Sequence, residues 1–573
     1  MEAPVEPLPT VAVDGPSPRR AGWLTPVRCR VLFVAVLLLN MLNGWWFLTH
    51  HCPIDLLGDE AQYWTWSRHL AAGYYSKGPL VAWIIRGSCS LLGNTMPAVR
   101  APALLLAVGT SCCTYWLTRK LFGSDRLALG AFLLGGIVPM FAAGGTLMTI
   151  DPPLFFCWAL STCFVAKAIF DRSRWAWPAA GVAAGFGVLA KYAMLLWPPL
   201  VLIYLALDPS ARRWLRTPGP WVMTAVALAF LAPPMVWNAQ HDWVTFHHVA
   251  TQVGGERSEA HPSTGPIVAR LFAGVGHAIA NVLGMAGIQA AAINPVLCVF
   301  VVAAVVYALG RRSVDDPHRA ALRFLLAIGG GFWLTCLLDA LLAKVEPNWP
   351  APAYFTLLIL TAYFIATVYR DNWKPWRGWF YGAVAFGLVA STLLHDTTRL
   401  YPFIAWVDRT FPRSPGKDGQ PRAWLTPKID IGYKMRGVAD PFATTVDAEL
   451  RQLRPGAFVL CEDYMDASQL SFYLPGQPAT YFAGSYWTDP AVRRRWTQFD
   501  VWPDRQLDQA KLIGHDAVYI GWPNYAPLRQ SFDRVIRLPD IVVRIDGLEV
   551  RRWTVTRCEG FHGMERPLGP GPR

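Results

Sequence analysis

The stretch GDEAQYWTWSRHLAAGYYSKGPLVAW, residues 58–83, sets two carboxylates and a lysine among aromatic side chains. A carboxylate can take a proton from an attacking hydroxyl, and a fixed ammonium can neutralise a phosphate as a point charge. Asp59, Tyr63, Trp66 and Leu70 recur at i, i+4, i+7 and i+11, which predicts a short aromatic helix along a membrane surface with Asp59 at its start. Asp59 then either presents a carboxylate at the headgroup level or caps the helix. Glu60 stands next to it as a second candidate acid. Lys77, in YYSKGP, has Tyr74 and Tyr75 before it and a Gly-Pro turn after it. It either holds a lipid phosphate, with the two tyrosines beside it, or snorkels to the interface.

Further along, Asp151 in MTIDPPLFF is either a functional carboxylate or an N-cap with proline in the first helical turn. Lys191, between two short apolar stretches, and Lys344, close to Glu346 in AKVEPNWPAPAY, are either headgroup anchors or interfacial charges. His241, Asp242, His247 and His248 in WNAQHDWVTFHH resemble metal bait. However, HExxH is missing, and adjacent histidines on a regular helix cannot both face one ion, so no metal site is expected there.

Composition determines where these residues sit. Of 573 residues, 53% are hydrophobic and only 16% charged, against about 25% charged in a soluble chain. The chain reads as a polytopic membrane protein, with 27 Trp and 19 Tyr supplying interfacial anchors. The net charge of +13 lies largely in Arg and Lys between apolar runs, as in cytosolic loops. No basic stripe interleaved with aromatics offers a base-stacking surface, so no nucleic-acid partner is expected.

Residues 1–29, ending in Arg19, Arg20 and Arg28, precede an apolar run that has no cleavage site after it. This predicts an uncleaved first span with a cytosolic N-terminus. Cytosolic connectors are expected at Arg119/Lys120/Arg126, Arg172/Arg174, Arg212/Arg213/Arg216, Arg311/Arg312/Arg319 and Arg370/Lys374/Arg377. The spans fall near 30–49, 98–119, 127–148, 152–170, 175–190, 192–207, 220–237, 289–310, 321–343, 351–369 and 378–395. The segment 265–287 is expected to be interfacial or re-entrant; two crossings in 265–310 and one more elsewhere would raise about eleven spans to about thirteen. An odd count places residues after His395 outside the cytosol, with the 50–97 loop.

Residues 398–573 change character and read as a soluble α/β domain after the 30–397 membrane domain. GAFVLCED and DAVYIGW read as strands, MDASQLSFYL as a helix, and IVVRIDGLEVRRWTV as a hairpin turning at Asp546-Gly547. No GxGxxG or P-loop suggests a nucleotide. Cys461 and Cys558 are candidates for a disulfide if this region is extracytoplasmic.

With these stretches in hand, the chain resembles bacterial glycosyltransferase family 39, relatives of protein O-mannosyltransferases and of the lipid A aminoarabinose transferase, whose fold is called GT-C. The likeness rests on residues 59–83, on TIDPPLFFCWAL at 149–160, LAKYAMLL at 189–196, PNWPAPAY at 347–354 and LSFYLPGQP at 470–478. It implies an inverting transfer of a sugar from a polyprenyl-phosphate donor to a cell-envelope acceptor (lipid A, another glycan or a protein) at the outer face of a bacterial inner membrane. Asp59 then matches the base or acceptor-orienting group, Asp151 the second carboxylate, and Lys77 the lysine that holds the donor phosphate. Glu60 joins the acidic set, and Tyr74, Tyr75, Lys191 and Lys344 join the phosphate side. The aminoarabinose branch tends to have an acidic residue and two prolines in the lysine turn, where this chain has Ser76 and Gly78. No metal is therefore expected to be required, with a divalent metal as the alternative, and an aminoarabinose donor is not assumed. The rival class is a transporter or flippase, which would show paired halves, broken helices and midplane charges. Here the charges concentrate at helix ends.

Overall fold

A computed structural model of the chain describes residues 23–253, 267–310, 313, 315–367, 373–411, 425, 430, 432–486, 496–522 and 525–564. Arg19, Arg20, Arg311, Arg312 and Arg370, counted above as cytosolic charge, lie outside the described residues. The described chain forms two compact units. One holds Met1–Trp46, Arg100–Val236 and Val249–Leu394, and the other holds Phe47–Val99, Trp237–His248 and His395–Arg573. The second therefore draws two earlier segments into company with the C-terminal region.

Among the described residues the regular structure of the first unit is all helix, as apolar sequence in lipid requires, because no water satisfies a bare backbone there. Its helices are α1 (Pro26–Trp46), most of α4 (Met96–Phe122), α5 (Asp125–Gly136), α6 (Pro139–Gly144), α7 (Asp151–Phe170), α8 (Ala176–Ala190), α9 (Trp197–Leu207), α10 (Pro218–Ala229) and the start of α11 (Ala232–Ala239). They continue with α13 (Ile267–Ile293), α14 (Pro295–Leu309), α15 (Arg319–Ala340), α16 (Ala353–Thr367) and α17 (Trp373–His395). Among the described residues, seven helices are long and apolar enough by length and composition to cross a membrane. The chain is a multi-pass membrane protein. Small residues let the helices approach, as is usual between spans. A Cβ on Gly185 of α8 would stand 2.3 Å from the Phe230 ring, and one on Gly181 would stand 2.6 Å from the Met223 carbonyl in α10.

Polar contacts sort the helix ends of this unit into two groups. At one end Arg30 pairs with Asp125 at 2.9 Å, Lys120 with Asp171, and Arg323 with Asp208 at 3.3 Å, while Tyr307 and Tyr363 donate to Asp316 at 2.7 and 2.8 Å. The Asp316 carboxyl is held down at about 2, because hydrogen bonds from His318, Tyr307 and Tyr363 outweigh the cost of its burial. At the other end Asp151, Lys191, Asn348 and Gln289 meet, as described below. Connectors 119–126 and 172–174 lie at the first end, beside Asp125 and Asp171.

Two expected spans differ in detail. The 127–148 segment is broken into α5 and α6, since Gly135, Gly136 and Pro139 interrupt the helix. The 265–287 segment, expected as an interfacial or re-entrant piece, runs as continuous helix from Ile267 to Ile293, and its 275–293 part is long enough to cross. The break comes at Asn294, in left-handed backbone with φ 102°, where the side chain accepts from the Val296 and Leu297 amides and so starts α14. Gln289 lies at the Asp151 end and Tyr307 at the Asp316 end, so 289–309 makes the crossing from one end to the other.

The second unit contains α2 (Gly58–Arg68), α3 (Leu80–Leu92), the first turns of α12 (Val244–Val253), α18 (Tyr401–Thr410) and an α/β layer. Strands β1 (Phe458–Cys461), β2 (Thr480–Phe482), β3 (Ala517–Ile520), β4 (Phe532–Arg537) and β7 (Val555–Phe561) form one sheet in the order β2-β1-β3-β7-β4. The first three are parallel and β7 runs against β3. β5 (Ile541–Ile545) and β6 (Leu548–Trp553) form the expected hairpin, with φ of 51° and 79° at Asp546 and Gly547. The expected helix is Tyr464–Tyr473. Cys461 and Cys558 do not pair: both are buried free thiols in β1 and β7, with β3 between them.

Candidate active site

In the second unit, α2 is not a surface helix. Glu60 through Ser67 are buried, Trp66 is fully enclosed, and Leu70 lies beyond the helix end. The helix packs against α3 and helix Tyr464–Tyr473, which explains why its aromatics surround it on every side rather than line one face. The cap is Leu57, not Asp59. Glu60, fully buried at the third helical position, accepts the Leu57 amide at 3.0 Å. The capping foreseen for Asp59 therefore belongs to Glu60, whose carboxylate is used by the helix it starts. Asp59, one residue earlier, is half-buried.

The lysine turn is built from the same core. Tyr74 stacks on Trp66 with ring centres 4.5 Å apart and is fully buried. Its hydroxyl lies 3.1 and 3.0 Å from the Trp66 and His69 carbonyls and accepts the Ala71 amide at 3.2 Å. Tyr74 thus closes the C-terminus of α2. The Tyr75 amide donates to Gln498 at 2.6 Å, and its ring meets His248 at 4.9 Å. Segment 237–248 clasps the turn from the other direction. Thr245 donates to the Tyr74 carbonyl at 2.8 Å, and a Cβ on Gly73 would fall 2.9 Å from the Trp237 ring.

His248 is pushed down to about 4, by burial first and then by the Lys77 charge beside it. At neutral pH a neutral imidazole and an ammonium therefore share this corner with the Tyr75 ring. The four residues flagged as metal bait disperse. His241 stacks on Trp237 at 4.1 Å, His247 and Asp242 are exposed, and His248 faces Tyr75. Among the described residues no cluster of three or more His, Cys, Asp or Glu side chains could hold a metal.

In the first unit, Asp151 is the first residue of α7 but does not cap it. Both of its oxygens are engaged. Lys191 donates to one at 2.9 Å and Asn348 to the other at 2.6 Å, with Asp151 and Lys191 only 15% and 17% exposed. Lys191 reaches it because the chain breaks from α8 into extended backbone at that residue. Behind Asn348, Gln289 donates to the Pro347 carbonyl at 2.8 Å and accepts from Tyr354 at 3.0 Å, and Trp333 donates to Tyr354 at 3.2 Å. Lys344 and Glu346 are exposed. Lys191 is thus tied to Asp151, while the network that orders Asp151 runs through residues read only as sequence pattern. Asn348 and Tyr354 sit inside the PNWPAPAY stretch. Gln289 is an amide in a run of apolar residues, a signal in itself.

Comparison with known proteins follows the same segments. Residues 76–237 match the dolichyl-phosphate-mannose-protein mannosyltransferase family. The chain is 28% identical over 313 residues to the lipid A galacturonosyltransferase RgtD of Rhizobium johnstonii, covering 54% of this chain and 61% of the relative. It is 26% identical to the undecaprenyl phosphate-alpha-4-amino-4-deoxy-L-arabinose arabinosyl transferase of Pectobacterium atrosepticum, covering 35% and 38%. The matched region therefore spans less than two thirds of these curated relatives. The crystal structure of ArnT from Cupriavidus metallidurans bound to undecaprenyl phosphate superposes with a TM-score of 0.56 at 18% identity, covering 92% of this chain and 97% of that one. The chain therefore has the ArnT-like GT-C fold, a helical membrane part with an α/β C-terminal region.

Proposed function

We propose that the protein is an inverting membrane glycosyltransferase that moves a sugar from a polyprenyl-phosphate donor to a lipid or glycan acceptor of the cell envelope. In the step, the acceptor oxygen attacks the anomeric carbon from the face opposite the phosphate and gives its proton to Asp59. The bond from that carbon to the phosphate oxygen breaks, and polyprenyl phosphate leaves with the electron pair. Lys77 neutralises the leaving phosphate, which needs charge compensation more than a proton. Both Asp151 oxygens already accept hydrogen bonds, from Lys191 and Asn348, so the reading gives it an orienting role.

The observation that carries this reading is the 58–77 segment. It brings a half-buried carboxylate and a half-buried lysine to one folded unit and secures the lysine turn through Tyr74, Gln498 and Thr245. The relatives' names, a lipid A transferase and an undecaprenyl-phosphate sugar transferase, support the donor and acceptor classes. A metal is not required in this scheme, because Lys77 supplies the positive charge; turnover that survives chelation of divalent ions is the expected result. The reading further places the Asp151 end of the helices and residues 395–573 outside the cytosol, in a bacterial inner membrane with a cytosolic N-terminus. The test is turnover in membranes holding wild type or Asp59→Asn, supplied with labelled polyprenyl-phosphate sugars. Loss of lipid-linked label with the wild type alone supports the reading. Bound donor with no turnover in either would favour a flippase or a non-catalytic relative.

A further inference from the structure

The C-terminal α/β region supplies no group to the step above, yet it meets the chain just before Asp59. The backbone there is held almost residue by residue. The Pro53 carbonyl accepts from Arg436 at 3.2 Å, and the Asp55 amide donates to the Met435 carbonyl at 2.8 Å. The Asp55 carboxylate accepts the Val438 and Ala439 amides at 2.8 and 3.2 Å. The Leu56 amide donates to the Tyr473 hydroxyl at 2.7 Å, and the Leu56 carbonyl accepts from the Gln469 amide nitrogen at 2.7 Å. Gly58 then passes so close to the start of helix Tyr464–Tyr473 that a Cβ would lie 2.5 Å from that of Met465.

That helix is itself fixed. Asp463 accepts the Met465 amide at 2.8 Å and caps it. Asp466 pairs with Arg551 at 3.0 Å and accepts from the Trp553 indole at 3.1 Å, and Phe472 meets Trp64 of α2 edge-on at 5.0 Å. Apolar contacts alone would let α2 slide, whereas a bond to the amide and another to the carbonyl of one residue, Leu56, fix the position and direction of the chain entering it. Leu56 is fully buried and Gln469 almost so, which makes these bonds costly to leave unmade.

We propose that Gln469 and Tyr473 are positioning residues for Asp59, so that the C-terminal region acts as a brace for the catalytic turn. The inference rests on the function proposed above. A displacement of about 1 Å at a reacting group can cost on the order of a hundredfold in rate, and these two bonds act only three residues from Asp59.

The test uses the full chain in membranes or detergent. Tyr473→Phe removes a single oxygen, Gln469→Leu removes the amide, and Arg534→Ala, on the exposed face of β4, serves as the control. Each is measured for kcat and KM with a polyprenyl-phosphate sugar and for hydrogen exchange in the peptide covering 53–58. The expected result is kcat lowered about tenfold in each variant, with KM for the donor unchanged, faster exchange at 53–58, and no change in the control. Unchanged kcat, or a change in KM alone, overturns the inference. A wild type that turns over no lipid-linked sugar would strike the functional reading instead. Exchange would still judge the brace, because unaltered exchange at 53–58 in both variants overturns it by itself.

Discussion

Asp59 and Glu60 are neighbours with the same functional group and opposite surroundings. Glu60 is spent on the Leu57 amide inside the core, whereas Asp59 sits half-buried one position earlier. Asp59→Asn is expected to lower turnover by about 10²- to 10⁴-fold, the usual span for losing a general base, with normal protein yield. Glu60→Gln keeps a carbonyl acceptor for the Leu57 amide and is expected to retain most activity; a loss equal to that of Asp59→Asn would return Glu60 to the reacting centre. Lys77→Ala should weaken donor binding by about ten- to a hundredfold, measured by lipid-donor titration. His248 stays neutral until about pH 4, below its ordinary value, because it is buried beside Lys77. Between pH 6.5 and 4 the unfolded chain binds the extra proton, so stability from this group is present above 6.5 and lost as pH falls through 4. The midpoint of thermal unfolding should therefore drop more on acidification in the wild type than in His248→Gln.

At the scale of elements, the break between α8 and α9 serves a contact. Extended backbone at Lys191 sends its ammonium to Asp151 at the start of α7, tying together two helices that also pack closely along their length. Lys191→Ala leaves a largely buried carboxylate without its cation, and a stability loss of about 3 kcal/mol is expected by thermal or denaturant unfolding in detergent. The brace helix shows a pH effect of the opposite sign to that of His248. Asp466 is raised to about 6, by burial first, with the nearby Asp463 adding to it against the pull of Arg551. The folded chain then holds a proton that the unfolded chain has lost, so this group's contribution falls as pH rises from about 4 to about 6. Asp466→Asn should flatten that part of the unfolding profile.

For the whole molecule, alternation of helix ends is the testable property. Asp125, Asp171 and Asp208 with their cations, and Asp316 with its two tyrosines, share one end of the helical unit, and Asp151, Lys191 and Asn348 share the other. Reporter fusions at Arg172 and Gly437 are expected on opposite sides of the membrane, with Arg172 cytosolic. Finding both on one side would break the odd count on which the outward placement of Asp59 depends.

Much of this was legible without coordinates. Low charge and long apolar runs dictate a membrane fold, because a bilayer rejects unpaired backbone and charge, and basic connectors mark helix ends for the same reason. Strand alternation and the Asp546-Gly547 turn dictate the hairpin, since both are local. The candidate residues Asp59, Lys77 and Asp151 could be named from type and position. What each one touches could not be read. Tyr74, a phosphate-side candidate, has its hydroxyl at the carbonyls that end α2, and Glu60, a candidate acid, accepts the Leu57 amide that starts it; neither contact shows in residue type. The partners of Asp151 come from residues 40 and 197 positions away, and those of Leu56 from 413 and 417 positions away. Periodicity and propensity act over a few residues, so they dictate the elements and the chemical groups these carry. Only tertiary packing decided which partners each of those groups meets, because partners such as those of Leu56 lie hundreds of positions away.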